Sequence, residues 1–489
     1  MKGLRLDGKT VLGRINSGID SVYPLGMSSS VEVDAAVSAA HAASHGWVAL
    51  GFDGRKKVLR SWASLLTRRI DEIGRLIADE TGKPLSDATL EATLAIEQLA
   101  WAANNAGKLL SDQKRPSGLL MFNMSAKVQR VPYGVVGVIG PWNYPMFTPM
   151  GSISYALAAG NTVVFKPSEY TPRVGIWLAQ SFAEIAPSSG IFTTVAGSPE
   201  TGRALTESNI NKISFTGSTR TAKKVAAAAA ERMIPVVLEC GGKDPVIVAG
   251  DADISAAAEH ALWSAMANAG QSCIGAERVY VMESVADKFI SEISRMANML
   301  QEGTSYGPAT MPSQLDVIQR HIDDAAARGA KFAVGGTSSV HDGMVAPTIM
   351  LDVPEDSTAM TEETFGPTLA INRVKSIAEA ISLSNASSYG LAAAVFSKHD
   401  GESIAAQLQC GMVSINSVFS FAAVASVPFG GVKDSGYGRI HGHEGLLEFT
   451  YPRTVVSQKF QIPLAFTTFK RTKFADTVIK RLIKLLYGR

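Results

Sequence analysis

A thiol, a carboxylate and a carboxamide stand where the chain leaves room for chemistry. Cys273 ends the run Gly270-Gln271-Ser272-Cys273, after Ala265 to Ala269 and before Ile274-Gly275, so small neighbours leave its sulfur accessible. An ordinary thiol, with a pKa of about 8.5, is mostly protonated at neutral pH and needs backbone N–H groups or a helix N-terminus to become a nucleophile. A lone cysteine is more often a small buried apolar residue. Glu239 precedes Cys240-Gly241-Gly242, where glycines admit a close approach, and it can act as a general base if its pKa is raised. Taken alone, a cap or a surface role fits it as well. Asn143, in Pro141-Trp142-Asn143-Tyr144-Pro145, carries an amide donor suited to an oxyanion, although asparagine beside proline is ordinarily a turn residue.

Two further stretches have the chemistry of a nucleotide site. Gly217-Ser218 lies between a strand pattern and a helix pattern, where backbone N–H groups and the helix dipole favour phosphate. It lacks the full G-x-G-x-x-G spacing, and a glycine that only permits a tight turn explains it equally well. In Lys166-Pro167-Ser168-Glu169 a cation and a carboxylate three residues apart can grip the hydroxyls of a ribose; a surface ion pair is the plainer alternative.

These residues must be placed by the elements around them. An α-rich opening is expected, with one helix from Val31 capped within Ser28 to Ser30, one from Gly54 to Thr81 stopped by Gly82-Lys83-Pro84, and one from Ser86 to about Leu110. Residues 1 to about 30 read as short strands and loops, and Leu119 to Met124 and Lys127 to Val131 as extended. From Val135 to Glu239, five short apolar runs alternate with helix signals, and the alternation resumes from Pro245 to Ile415. That is the pattern of two doubly wound α/β domains, whose ligands bind beyond the carboxyl ends of the strands.

Bulk properties exclude other classes. The chain has 489 residues, 46% hydrophobic and 18% charged, which is a globular composition long enough for two or three domains. A net charge of +2 gives no case for nucleic acid. Three cysteines, Cys240, Cys273 and Cys410, suit a reducing compartment, and neither a CxxC pair nor a histidine cluster suggests a metal. The first residues lack an apolar signal core, and no window reaches the roughly eighteen apolar residues of a membrane span. A cytoplasmic protein is expected.

In order, the chain carries Pro141-Trp142-Asn143-Tyr144-Pro145, Lys166-Pro167-Ser168-Glu169, Phe215-Thr216-Gly217-Ser218, Glu239-Cys240-Gly241-Gly242-Lys243, Gly270-Gln271-Ser272-Cys273, Glu363-Thr364-Phe365-Gly366-Pro367, Pro428-Phe429-Gly430-Gly431-Val432-Lys433 and Ser435-Gly436-Tyr437-Gly438-Arg439. Over roughly residues 30 to 455 this closely resembles the aldehyde dehydrogenase superfamily. The resemblance implies a dinucleotide-binding domain (1–115 and 132–240), a catalytic domain (241–440) and a β-arm for oligomerisation (116–131 and 441–458), hence a homodimer or homotetramer. It implies Cys273 as nucleophile, Asn143 as oxyanion donor and Glu239 as the base that activates water. Trp142, Lys166, Ser168, Glu169, Gly217, Ser218, Glu363 and Phe365 would hold the cofactor. That cofactor is NAD by the repulsion that Glu169 offers a 2′-phosphate, with NADP admitted through Lys166 and Ser168.

Two features depart from the pattern. Ala222 stands where the family often has glycine, and residues 459–489 form an extra tail. In that tail Phe474, Val478, Leu482 and Leu485 share one helical face beside Lys473, Lys480, Arg481 and Lys484. It would pack on a neighbouring subunit or touch an anionic membrane peripherally. Phe147, Met146, Trp142, Met121 and the apolar loop Phe419 to Val427 point to a hydrophobic tunnel, and so to an aromatic or medium-to-long aliphatic aldehyde. Gly445-Leu446-Leu447 also resembles succinate-semialdehyde dehydrogenases, but the 416–430 loop has no arginine for a second carboxylate. Glu239 argues against a CoA-acylating enzyme, and Cys273, Glu239 and Asn143 together argue against a non-catalytic member of the fold.

Overall fold

The computed structural model describes residues 27–462 and 468–488, so the strands and loops expected before residue 27 lie outside the described residues. The chain divides into a large unit, Met1–Leu109 with Pro132–Thr450, and a small one, Leu110–Val131 with Tyr451–Arg489. Four helices open the large unit: Ser30–Ala49, Gly51–Arg68, Ile70–Thr81 and Leu85–Leu109. The first starts where Ser29 and Glu32 cap one another reciprocally. The single helix expected from Gly54 to Thr81 is two, because Arg69 leaves helical geometry between them. Gly82, at φ 77°, then ends the third helix in the left-handed conformation that glycine adopts without steric cost.

The strands follow in order: β1 (Gln113–Arg115), β2 (Met124–Pro132), β3 (Val135–Ile139), β4 (Thr162–Lys166), β5 (Phe192–Thr194), β6 (Lys212–Thr216), β7 (Val236–Glu239), β8 (Asp244–Val248) and β9 (Ala276–Met282). Then come β10 (Lys331–Val334), β11 (Val340–His341), β12 (Met344–Val345), β13 (Thr348–Leu351), β14 (Thr368–Val374), β15 (Ala392–Phe396), β16 (Met412–Ile415), β17 (Gly436–Tyr437) and β18 (Thr450–Gln458).

The first sheet runs β17-β7-β6-β3-β4-β5, parallel but for β17. Its central strands β3 and β4 are buried along their whole length, as the continuous apolar runs require. Register brings their ends level: Ile139 pairs with Lys166 and with Phe215, and Thr216 pairs with Glu239. Strand order reverses between β3 and β6, which opens a crevice at their carboxyl ends. Gly436 of β17 lies at φ 102° opposite Glu239, and a side chain there would run into the Leu238 carbonyl.

The second sheet runs β10-β13-β14-β9-β8-β15-β16, parallel except for β10. Both sheets of the expected α/β architecture are therefore present. In the small unit, β1, β2 and β18 form a three-stranded sheet. Leu119–Met121, expected to be extended, is a 3-10 turn after Gly118, which has φ 76°; the strand begins only at Met124. The small unit resumes at Tyr451, and the helix Gly442–Glu448 before it packs on Leu85–Leu109 and Phe147–Ala159 in the large unit.

Candidate active site

Two sets of strand ends meet in the large unit. From the first sheet come carboxyl ends: Trp142 and Asn143 after β3, Lys166 to Glu169 after β4, Gly217 and Ser218 after β6, and Glu239 closing β7. From the second sheet come the segments entering adjacent strands: Gly242 before β8, Cys273 before β9, and Glu363 to Phe365 before β14. The carboxyl-end expectation therefore holds for the first sheet, while the second contributes at its amino ends. Only four residues, 240–243, separate β7 from β8, so the chain passes directly from one set to the other.

Asn143 is fixed through both ends of its residue. Its carbonyl accepts from Lys83 Nζ at 2.7 Å and Asn268 Nδ2 at 3.0 Å, and its Nδ2 donates to the Gln271 carbonyl at 2.9 Å. Lys83 Nζ also lies 2.7 Å from Glu91 Oε2, with both side chains fully buried, and 4.1 Å from the centroid of the Tyr144 ring. Glu91 Oε1 accepts the Met146 and Phe147 N–H groups at 2.8 and 3.2 Å. One ion pair thus ties the helix Leu85–Leu109 to the loop that carries Asn143.

The segment before Cys273 is bent through three successive positive φ angles: Asn268 at 53°, Ala269 at 56° and Gly270 at 68°. Non-glycine residues in that region cost energy and persist only where their surroundings impose them. Here Asn268 and Gln271 bond each other and their neighbours, Gln271 Oε1 accepts the Thr310 N–H at 2.8 Å, and a side chain at Gly270 would collide with the Gly366 carbonyl.

A second buried pair holds the other loop. Lys243 meets Glu277, and Glu277 accepts the Thr364 and Phe365 N–H groups at 2.8 and 3.1 Å. Thr364 is gripped further by Lys243, His321 and Gln314. Glu363 Oε1 accepts the Gly242 N–H at 3.2 Å, and the Phe365 ring meets Trp142 edge-on at 5.5 Å.

Burial first, then the carboxyls of Glu363, Asp244 and Glu239, hold the Cys273 thiol well above the ordinary range. Of the two aids considered for Cys273, backbone N–H groups or a helix N-terminus, the second does not apply: it sits in the turn between the short helix Ala267–Gly270 and β9. Glu239 is buried with neither carboxylate oxygen hydrogen-bonded; burial raises its pKa well above normal, and Arg439 offsets part of that. Burial likewise pushes Glu363 up to about 8, with Glu277 adding to the shift. A buried carboxyl whose pKa is raised is a stronger base than an ordinary carboxylate once it is ionised.

Around Cys273 the surface is apolar. Cys273, Ile274, Phe147 and Phe421 pack against Val237, Leu391, Met412, Ala422, Phe429 and Ile440. His441 meets Phe147 edge-on at 5.6 Å and Phe429 at a tilt at 5.5 Å, and burial pushes it down to about 3, so it is neutral there. Of the residues expected to line a tunnel, Met146 is fully buried and Met121 belongs to the small unit. Ala222 is buried in the first-sheet core with Phe215 and Val225, so its methyl is accommodated.

The nucleotide-side residues fit a dinucleotide. Lys166 Nζ lies 3.2 Å from Glu169 Oε2, with the lysine buried and the glutamate partly open. Ser218 caps the helix Thr219–Glu231, and the Gly217 N–H donates to the Glu239 carbonyl at 3.1 Å. At Gly241 a side chain would strike the Glu363 carboxylate, so the backbone there must stay bare. Reading the sequence alone missed Lys83, Glu91 and Glu277. The available signal was Glu91, a carboxylate on the apolar stripe of Ala88, Ala92 and Ala95, since a charge buried there requires a partner.

The model of the aldehyde dehydrogenase family matches residues 21–455. A 4,4'-diapolycopene aldehyde oxidase of Methylomonas sp is 35% identical over 450 residues, 90% of this chain and 84% of that one. A mitochondrial succinate-semialdehyde dehydrogenase of Oryza sativa subsp. japonica is 34% identical over 454 residues, 91% and 85% of the two chains. The crystal structure of an NAD-dependent aldehyde dehydrogenase from Sinorhizobium meliloti superposes with a TM-score of 0.86 at 31% identity, covering 90% of this chain and 89% of that one. The chain belongs to the aldehyde dehydrogenase family, and it is an oxidoreductase that uses NAD or NADP.

Lys83→Met leaves the Glu91 carboxylate buried without its ammonium, which is expected to cost about 3–5 kcal/mol. Thermal melting checks this: the single variant should melt well below the parent, and Lys83→Met/Glu91→Gln should recover part of the loss.

Proposed function

We propose that this protein oxidises a hydrophobic aldehyde, aromatic or medium-to-long aliphatic, to its carboxylic acid, with Cys273 as nucleophile. The observation that carries the reading is the thiol itself, set in an apolar wall with an unpartnered buried carboxylate, Glu239, among its electrostatic neighbours. Cys273 Sγ gives up its proton to solvent as the sulfur bonds to the carbonyl carbon. The resulting oxyanion is held by the Asn143 amide and the Cys273 N–H. A nicotinamide held by Trp142, Glu363 and Phe365 would supply the acceptor for the hydride that leaves this carbon. What remains on Cys273 is a thioester; Glu239 then draws a proton from water, and the carboxylic acid leaves as the thiol is restored.

Lys166, Ser168 and Glu169 are assigned to the adenine ribose, Gly217 and Ser218 to the pyrophosphate, and Trp142, Glu363 and Phe365 to the nicotinamide end. The Glu169 carboxylate favours NAD over NADP by charge. The enzyme works in the cytoplasm as a homo-oligomer, with the β1-β2-β18 sheet as its assembly arm. A dicarboxylic semialdehyde is the second reading, supported by the rice relative's name. It needs a cation facing the thiol, and the 416–430 loop carries no basic residue. CoA-acylating chemistry would leave Glu239 without a task.

Purified protein assayed for NADH and NADPH formation against hexanal, decanal, benzaldehyde and succinate semialdehyde should rank the semialdehyde last. A semialdehyde with the highest kcat/KM would overturn the hydrophobic reading, and Cys273→Ala should abolish turnover with every substrate. The pH profile follows from the raised pKa of Glu239, which acts only when ionised. Turnover should therefore keep climbing with pH beyond the ordinary carboxylate range, where an unshifted glutamate would already have reached its plateau. Glu239→Gln should cut it by about two to four orders of magnitude.

A further inference from the structure

We propose that the C-terminal helix Lys473–Tyr487 binds the surface of an anionic membrane. The segment 459–489 holds eight lysines and arginines against one acid, Asp476, whereas the whole chain has 46 basic residues against 44 acidic ones. Positive charge is therefore concentrated in the tail, and the chain that precedes it carries a net negative charge. Within the helix the charges are segregated. Lys473, Lys480 and Lys484 occupy one face, and Phe474, Val478, Leu482 and Leu485 the other.

The helix is anchored at its start, where Thr472 caps it and Arg471 pairs with Asp476 at 2.7 Å, which removes the one acid from the basic face. Its apolar face is only partly covered: Ala475 is buried and Val478 and Leu482 are half-buried, but Phe474 is 69% and Leu485 77% exposed. Phe469, in the approach to the helix, and Tyr487, at its end, are open as well, so aromatic rings flank it on both sides. No helix among the described residues is long and apolar enough to cross a membrane.

An exposed apolar face, a basic opposite face and aromatic flanks describe a helix lying in a lipid interface, with lysines reaching anionic headgroups. Charge complementarity selects the anionic lipid as occupant.

The test uses the full chain and needs no assumption about which aldehyde is oxidised. Vesicles of equal parts phosphatidylcholine and phosphatidylglycerol, and vesicles of phosphatidylcholine alone, are floated with the protein at low and at molar salt. The expected result is co-flotation with the anionic vesicles only, lost at high salt. Lys480→Glu/Lys484→Glu and Phe474→Ser/Leu485→Ser should each weaken partitioning more than tenfold, with melting temperature and particle mass unchanged. Failure of the folded parent protein to float with anionic vesicles would overturn the proposal. So would a change in particle mass in both variants, which would give the helix to a second copy of the chain.

Discussion

Charge buried in an apolar interior has to be met by opposite charge, and two lysine–glutamate pairs use that constraint to build the site. Lys83 and Glu91 are both fully buried, and each spends its remaining hydrogen-bonding capacity on the loop after β3. Lys243 and Glu277 treat the loop before β14 in the same way. In neither pair is the ion pair alone the purpose. A buried pair of this kind is weak evidence for net stability, because desolvation offsets most of the attraction. What it supplies is position: each carboxylate accepts two backbone N–H groups and so dictates where a loop runs. Asn143 is held by the first pair, Glu363 and Phe365 by the second, and the Trp142–Phe365 contact joins the two loops.

That rigidity explains how the strained turn before Cys273 persists. Two non-glycine residues at positive φ are tolerable because Asn268 and Gln271 are bonded into the Asn143 loop. The turn leaves the thiol in an apolar wall, and the consequence is electrostatic. Without a helix dipole or a cation beside it, the thiol is held protonated by burial and by nearby carboxyls. Glu239 feels the same burial and is made a stronger base by it. The proposed chemistry would thus run against an apolar wall, which suits an uncharged substrate better than one with a second carboxylate.

Much of this was legible from residue types and spacing. The apolar runs at β3, β4, β6 and β7 are buried parallel strands, and the residues after them stand at level strand ends in one crevice. The grouping of Cys273, Asn143, Glu239 and Glu363 came from the family resemblance, since each had a plainer explanation alone. What could not be read is of one kind. Glu91 and Lys83 are eight residues apart, and nothing local shows that both are buried or that they face a loop some sixty residues on. Part of the Cys273 shift likewise comes from Glu363 and Asp244, which are distant in sequence. Likewise, the break at Arg69 and the turn at Leu119–Met121 interrupt patterns that periodicity alone would continue.

The central claim is that Cys273 carries the acyl group and Glu239 releases it, and one measurement addresses both. Glu239→Gln is mixed with NAD and a hydrophobic aldehyde, quenched in acid, digested and weighed by mass spectrometry. The account predicts an acyl mass on the peptide containing Cys273, persisting in the variant and transient in the parent protein. An unmodified Cys273, or acyl mass on Cys240 or Cys410 instead, would contradict it.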